Sequence, residues 1–243
     1  SEVELVGVML VERTEIEEKM TLVQYDPFDQ EKIAINEQII LEFYRSEGYP
    51  GVRVKSRVEV VESRLESEGK KFRVVFEMEE KPRVYLSDIY ISGTKYYSEL
   101  DIKRFILSSE IDCVAWANQS GLFREEMINQ DLSLITQHYL KNGFINVFIE
   151  KPDVTLIHNP DYSRVDVRLN ITEGDQYYSG KISVSGDILG KKEKLLEGLL
   201  LEQGEIYNPF LQNRDRSGIS EIYYERGYAF VRVVPETKVH KER

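Results

Sequence analysis

The apolar positions of this 243-residue chain follow one pattern written three times. A glycine followed by an aromatic recurs as Gly48-Tyr49, Gly143-Phe144 and Gly227-Tyr228. Four residues before each glycine stands a tyrosine (Tyr44, Tyr139, Tyr223), and eight before stands an isoleucine (Ile40, Ile135, Ile219). Steps of four and eight put these side chains on one helix face. Four and six residues after the glycine come Val52 and Val54, Val147 and Ile149, Val231 and Val233, the step of two expected of a strand. Each repeat therefore predicts an amphipathic helix, a glycine stop and an extended segment.

A second anchor lies upstream. Gly7, Gly93 and Gly186 each end a short alternating run, with Val3 and Leu5, Ile89 and Ile91, Ile182 and Val184 on one face. Nine and thirteen residues after these glycines come Ile16 and Met20, Ile102 and Ile106, Leu195 and Leu199, the step of a second, earlier helix. The two glycines lie 41 positions apart in the first and third repeats (48 − 7, 227 − 186) and 50 apart in the middle one (143 − 93), which carries an insertion over 108–125. A further strand is predicted where Phe72, Val74, Phe76 and Met78 alternate with Arg73, Val75, Glu77 and Glu79, and where Val165, Val167, Leu169 and Ile171 alternate with Asp166, Arg168 and Asn170. Asp29 and Ser98 are the expected helix N-caps.

The unit thus reads strand, helix, helix, strand, strand. Its apolar faces must bury each other, so the expected fold is α+β: three tandem β-α-α-β-β modules, each with two helices on one face of a small mixed sheet and the charged face toward water. The module boundaries are expected at 1–81, 82–174 and 175–243, with hinges near Pro82 and Gly174 along an elongated arm. The third module lacks a closing strand within the sequence, and the native protein is expected to continue past Arg243.

Acidic residues outnumber basic ones, 43 to 32, giving a net charge of −11, which argues against a nucleic-acid partner. The single cysteine, Cys113, is read as a small apolar residue. His138, His158 and His240 have no metal-ligand spacing, and no nucleophile elbow or phosphate loop occurs, so no cofactor, metal or catalytic residue is expected. The repeated tyrosines read as core-facing rings with hydroxyls at the edge.

The tandem β-α-α-β-β unit resembles the POTRA domain, the periplasmic module of outer-membrane protein assembly and transport factors. The resemblance rests on Asn170-Ile171-Thr172-Glu173-Gly174-Asp175-Gln176-Tyr177 leading into Ile182-Ser183-Val184-Ser185-Gly186. It rests also on Gly204-Glu205-Ile206-Tyr207-Asn208, on Tyr139-Leu140-Lys141-Asn142-Gly143-Phe144, and on Trp116-Ala117-Asn118 in the insertion. It is closest to the β-barrel assembly factors and to their central POTRA domains. It implies a non-catalytic arm at the periplasmic face of the outer membrane. The implied partners are unfolded outer-membrane β-barrel proteins, accessory assembly lipoproteins and a membrane barrel in the same chain. A translocation or autotransporter assembly factor with the same modules, or a scaffold that binds no substrate, are the alternatives.

An open sheet edge offers unpaired backbone groups to an extended chain without reading its side chains closely. The second strands are the expected docking edges: Val52, Arg53 and Val54; Phe144, Ile145, Asn146, Val147, Phe148 and Ile149; and Val231, Arg232 and Val233. The middle one, taken as Phe144–Glu150, is favoured because it is least charged, and Phe148→Glu is expected to weaken crosslinking to substrate peptides. Trp116, Leu122 and Phe123 in the insertion form a second candidate contact.

Overall fold

The computed structural model describes residues 2–61, 71–111, 121–158, 163–190 and 192–240. In chain order the elements are β1 (Glu2–Val6), α1 (Arg13–Lys19), α2 (Gln30–Ser46), β2 (Arg53–Val61), β3 (Lys71–Glu79), β4 (Val84–Ser92), α3 (Glu99–Lys103), α4 (Glu125–Lys141), β5 (Phe148–Ile149), β6 (Asp153–His158), β7 (Ser163–Thr172), α5 (Lys192–Glu197) and α6 (Pro209–Glu225). The chain divides into two compact units. One comprises Ser1–Tyr90, Ile106–Asp131 and Pro152–Leu169, the other Ile91–Phe105, Leu132–Lys151 and Asn170–Arg243.

In the first repeat the sheet order is β1-β3-β2. The third strand is central, parallel to β1 and antiparallel to β2, so the sheet is mixed as expected. Leu5, Ile16, Ile33, Ile40, Phe43, Tyr44, Val74 and Phe76 are buried in one cluster between helices and sheet. The opposite sheet face carries an ion-pair ladder: Arg73 to Glu2 at 3.0 Å, Arg57 to Glu59 at 2.8 Å and Arg57 to Glu77 at 2.9 Å. Val75, set between Glu4 and Arg57 in register, is buried on that charged face.

The local signals act as their chemistry requires. Asp29 accepts the Glu31 and Lys32 amides, and Ser98 forms a reciprocal capping box with Asp101. Gly48, Gly143 and Gly227 sit at φ +85°, +85° and +87°, the left-handed turn that ends a helix.

The middle sheet runs β4-β7-β5, with β6 also on β7. Here the expected strand Phe144–Glu150 is corrected. Only Phe148–Ile149 forms strand, followed by the Glu150 amide on the Asn170 carbonyl at 3.0 Å, while Phe144 to Val147 closes a turn through the Val147 amide on the Phe144 carbonyl. Ile149 faces Ile171 and Asp153 faces Arg168, so Lys151 and Pro152 together oppose one residue of β7. Proline cannot donate to a ladder, and the extra residue is absorbed there as a bulge.

The strands expected in the third repeat, at Ile182 and Val184 and at Val231 and Val233, do not form. Val231, Arg232 and Val233 therefore stand on no strand. The reason is topological. In the first repeat both flanking strands bond to the central third strand, and the third repeat has no such run within these 243 residues. Without it neither flank has a ladder partner. No residue of α6 is buried.

Candidate peptide-docking edge

Two polar devices recur along the chain, the first in two repeats and the second in all three, and both involve the repeated helix. The first is a carboxylate clasp. Glu80, just past β3, accepts the Met9 amide at 3.1 Å, the Leu10 amide at 3.0 Å and the Tyr44 hydroxyl at 2.6 Å. Glu173, just past β7, does the same with Lys95 at 2.7 Å, Tyr96 at 3.1 Å and the Tyr139 hydroxyl at 2.8 Å. Each carboxylate thus ties the loop after the first-strand glycine to the helix end. Burial, then the hydrogen bond and charge of the glutamate, push both tyrosine hydroxyls far above their usual range. In the third repeat Tyr223 meets the equivalent loop directly, donating to the Asp187 carbonyl at 2.9 Å and accepting from the Leu189 amide at 3.2 Å.

The second device is an acceptor twelve residues before each helix-stop glycine. Asn36 accepts the Thr21 and Leu22 amides, Asp131 those of Leu107 and Ser108, and Asp215 those of Leu200 and Leu201. Each side chain satisfies backbone amides of the segment that follows the earlier helix.

The same glycines mark the junctions between repeats. The Val84 amide donates to the Gly48 carbonyl at 3.0 Å, and the Tyr177 amide to that of Gly143 at 2.9 Å. The next repeat's inter-helix segment then bonds at the same place, the Phe123 amide to the Val84 carbonyl at 2.9 Å and the Tyr207 amide to the Tyr177 carbonyl at 2.9 Å. Leu122 packs against Gly48, and Ile206 against Gly143. Arg83 lies over the Tyr49 ring, 5.0 Å from its centroid. Leu122 and Phe123, expected as contacts in the insertion, are therefore buried at a junction. Trp116 and Cys113 lie outside the described residues.

These bonds decide which sheet margins are free. On β1, the Gln24 side-chain amide takes both groups of Val3, accepting its N–H at 3.2 Å and donating to its C=O at 2.6 Å. Arg13 donates to the Leu5 carbonyl at 2.8 Å. On β4, Leu86 bonds to Gly121 at 2.6 Å and Ile111 at 2.8 Å, and Glu110 takes the Ile89 amide at 3.0 Å. Val3 and Leu5 on β1, and Leu86 and Ile89 on β4, are thus engaged by the chain's own groups.

The second-strand margins differ. β2 runs unbroken for nine residues at the sheet edge. Its Ser56 amide points outward and donates to Glu37 of α2 at 2.6 Å. Antiparallel alternation sets the amides of Val54, Val58 and Val60 on the same outer side. Among the described residues these three have no partner beyond the strand. Val58 and Val60 are exposed, Val60 to 61 %. Arg53 is exposed and pairs with Glu79 at 3.6 Å, whereas Val52 is buried just before the strand.

The middle margin is shorter and interrupted by the bulge at Pro152. Phe148 points outward and is 62 % exposed, and Asn146 is exposed beside Tyr177. Phe144 is buried against Tyr96, Tyr97 and Tyr139, so it belongs to the core and not to a docking edge. His138 also lies in this aromatic group, stacked on Phe105 with centroids 4.3 Å apart. Among the described residues, no group of three His, Cys, Asp or Glu is placed to hold a metal ion, and no helix is long and apolar enough to cross a membrane.

Known proteins resemble this chain in sequence and fold. The outer membrane protein assembly factor BamA of Nitratidesulfovibrio vulgaris is 26 % identical over 211 residues, which is 84 % of this chain and 25 % of that protein. A putative outer membrane protein assembly factor of Treponema pallidum is 23 % identical over 228 residues, 93 % of this chain and 26 % of that protein. The chain thus spans about a quarter of the length of the curated relatives it matches. The crystal structure of Haemophilus influenzae BamA POTRA3-5 superposes with a TM-score of 0.51 at 15 % identity, covering 95 % of this chain and 85 % of that one, a likeness of fold. The family profile for POTRA, the surface antigen variable number repeat, matches residues 1–81, 84–174 and 177–243, and the chain belongs to the POTRA family.

Proposed function

We propose that this chain is the periplasmic part of an outer-membrane β-barrel assembly factor of the BamA kind. In this reading it receives unfolded outer-membrane proteins by adding their extended segments to β2. Relatives that carry the assembly-factor name support the first statement. One observation carries the second. The chain's own groups engage Val3 and Leu5 on β1 and Leu86 on β4, while β2 presents the outward amides of Val54, Val58 and Val60. Backbone pairing of this kind accepts many sequences, which suits a receptor for many different barrels. Each contact is weak, so several in tandem gain by effective concentration and still release their cargo. Accessory assembly lipoproteins and a membrane barrel in the same polypeptide complete the reading, and the chain contributes binding and no catalysis.

The test is a titration of the isotopically labelled chain with a ten-residue peptide from a barrel strand. Amide shifts are expected at Val54, Val58 and Val60. Shifts confined to other margins, or none at millimolar peptide, would remove β2 from this role.

A further inference from the structure

We propose that Glu37 is a built-in competitor for the β2 edge, occupying the place of an incoming carbonyl until a strand displaces it. The inference rests on β2 serving as the docking edge. Glu37 projects from α2, and its carboxylate lies 2.6 Å from the Ser56 amide at mid-strand. The flanking outward amides, those of Val54 and Val58, have no such cover among the described residues.

The chemistry of the cover differs between the two margins of this sheet. Gln24 on β1 is an amide: it both accepts and donates, and so imitates a paired strand residue on Val3. A carboxylate only accepts. Glu37 therefore satisfies one group of Ser56 and leaves its outward carbonyl to solvent. The cover on Val3 is complete and the cover on Ser56 is half of one.

An arriving strand brings a carbonyl and an amide to the residue opposite Ser56. Its carbonyl takes over the Ser56 amide, and its amide gains the carbonyl that Glu37 cannot serve. The released carboxylate returns to water, where it is well solvated. The exchange is reversible and lowers the affinity of every incoming segment by a similar factor. Glu37 also blunts the edge against pairing with a second copy of the chain, because one mid-strand donor is already engaged.

The test compares the 243-residue chain with its Glu37→Ala and Glu37→Gln variants. The probe is the same ten-residue barrel-strand peptide, and the readout is the dissociation constant together with the amides that shift. Glu37→Ala is expected to bind about tenfold more tightly, the equivalent of losing one charge-assisted hydrogen bond of about 1.4 kcal/mol. Glu37→Gln can both accept and donate, as Gln24 does on Val3, so it completes the cover and is expected to bind about threefold more weakly. Without peptide, exchange of the Ser56 amide is expected to quicken in Glu37→Ala while that of the β2–β3 ladder is unchanged.

Equal affinity of all three proteins, with shifts still at Val54, Val58 and Val60, would overturn the competitor role and leave the docking edge standing. Absence of β2 shifts in all three would overturn both. If Glu37→Ala does not fold, Glu37→Gln decides alone, since it preserves side-chain length and helix propensity.

Discussion

Removing the Glu173 carboxylate is expected to cost the middle repeat about 3–5 kcal/mol, because the group closes three hydrogen bonds in a buried place. Its oxygens accept Lys95 at 2.7 Å, Tyr96 at 3.1 Å and the fully buried Tyr139 hydroxyl at 2.8 Å. In Glu173→Ala the Tyr139 hydroxyl and two amides lose their acceptor together. Each buried donor left unmet costs about 1–3 kcal/mol, and the three share one carboxylate, so the sum is not additive. Glu173→Gln keeps one acceptor oxygen but turns an N–H₂ toward donors, and is expected to cost about 2 kcal/mol. Tyr139→Phe removes only one bond, and a double-mutant cycle with Glu173→Ala should give a coupling of about 1–2 kcal/mol. The assay is native-state hydrogen exchange at Lys95 and Tyr96 with urea unfolding of the same proteins. A loss below about 1 kcal/mol for Glu173→Ala, or zero coupling, would refute the clasp.

Other outcomes follow from the same geometry. Alanine at the three helix-stop glycines should give a graded series. Gly227→Ala meets open space and costs about 1 kcal/mol for its left-handed backbone; at Gly48 the new Cβ falls 2.9 Å from the movable Leu122 side chain; at Gly143 it falls 2.6 Å from the Tyr177 carbonyl and costs most, about 3 kcal/mol. Thermal unfolding ranks them, and equal losses would contradict the junction packing. Burial and then the Lys141 charge hold the His138 imidazole below its usual range, so the unfolded chain takes the proton first. Stability should fall as pH drops below about 6.5, and His138→Phe should flatten that slope in pH-dependent denaturant melts. The raised Tyr44 and Tyr139 hydroxyls act at the other end: the unfolded tyrosines ionise first, so stability is lost above about pH 10. Gln24→Ala should uncover Val3 on both its groups and produce concentration-dependent self-association, read by analytical ultracentrifugation.

Much of this fold is legible in the chain because its signals are local. Helix stops at Gly48, Gly143 and Gly227, caps at Asp29 and Ser98, and the alternation of Phe72 to Met78 need only neighbours in sequence. The clasp is not local: Tyr44 and Glu80, or Tyr139 and Glu173, lie more than thirty residues apart, and a lone glutamate at a strand end looks like any solvated acid. Asn36, Asp131 and Asp215 did carry a signal, since they repeat twelve residues before each glycine. A polar residue on an apolar helix reads as its wet face, however, until the amides it serves are seen. The third repeat shows the opposite limit. Its alternating runs have the composition of strands, yet a strand exists only with a partner. The bulge at Pro152 shortened the favoured middle edge in the same way, since pattern alone does not reveal where a ladder breaks. The covers on Val3, Leu5 and Ser56 were invisible for a further reason. Each uses a single side chain reaching across space, and those contacts separate an edge that can receive a chain from one that cannot.

Site-specific photo-crosslinking along the sheet margins tests the central claim most directly. A photoreactive residue is placed in turn at Val3 of β1, Val60 of β2 and Leu156 of β6, and each protein is illuminated with an unfolded outer-membrane barrel protein. Strong adducts at Val60 and little at Val3 are predicted. Equal labelling at Val3 and Val60, or labelling at neither, would contradict the account.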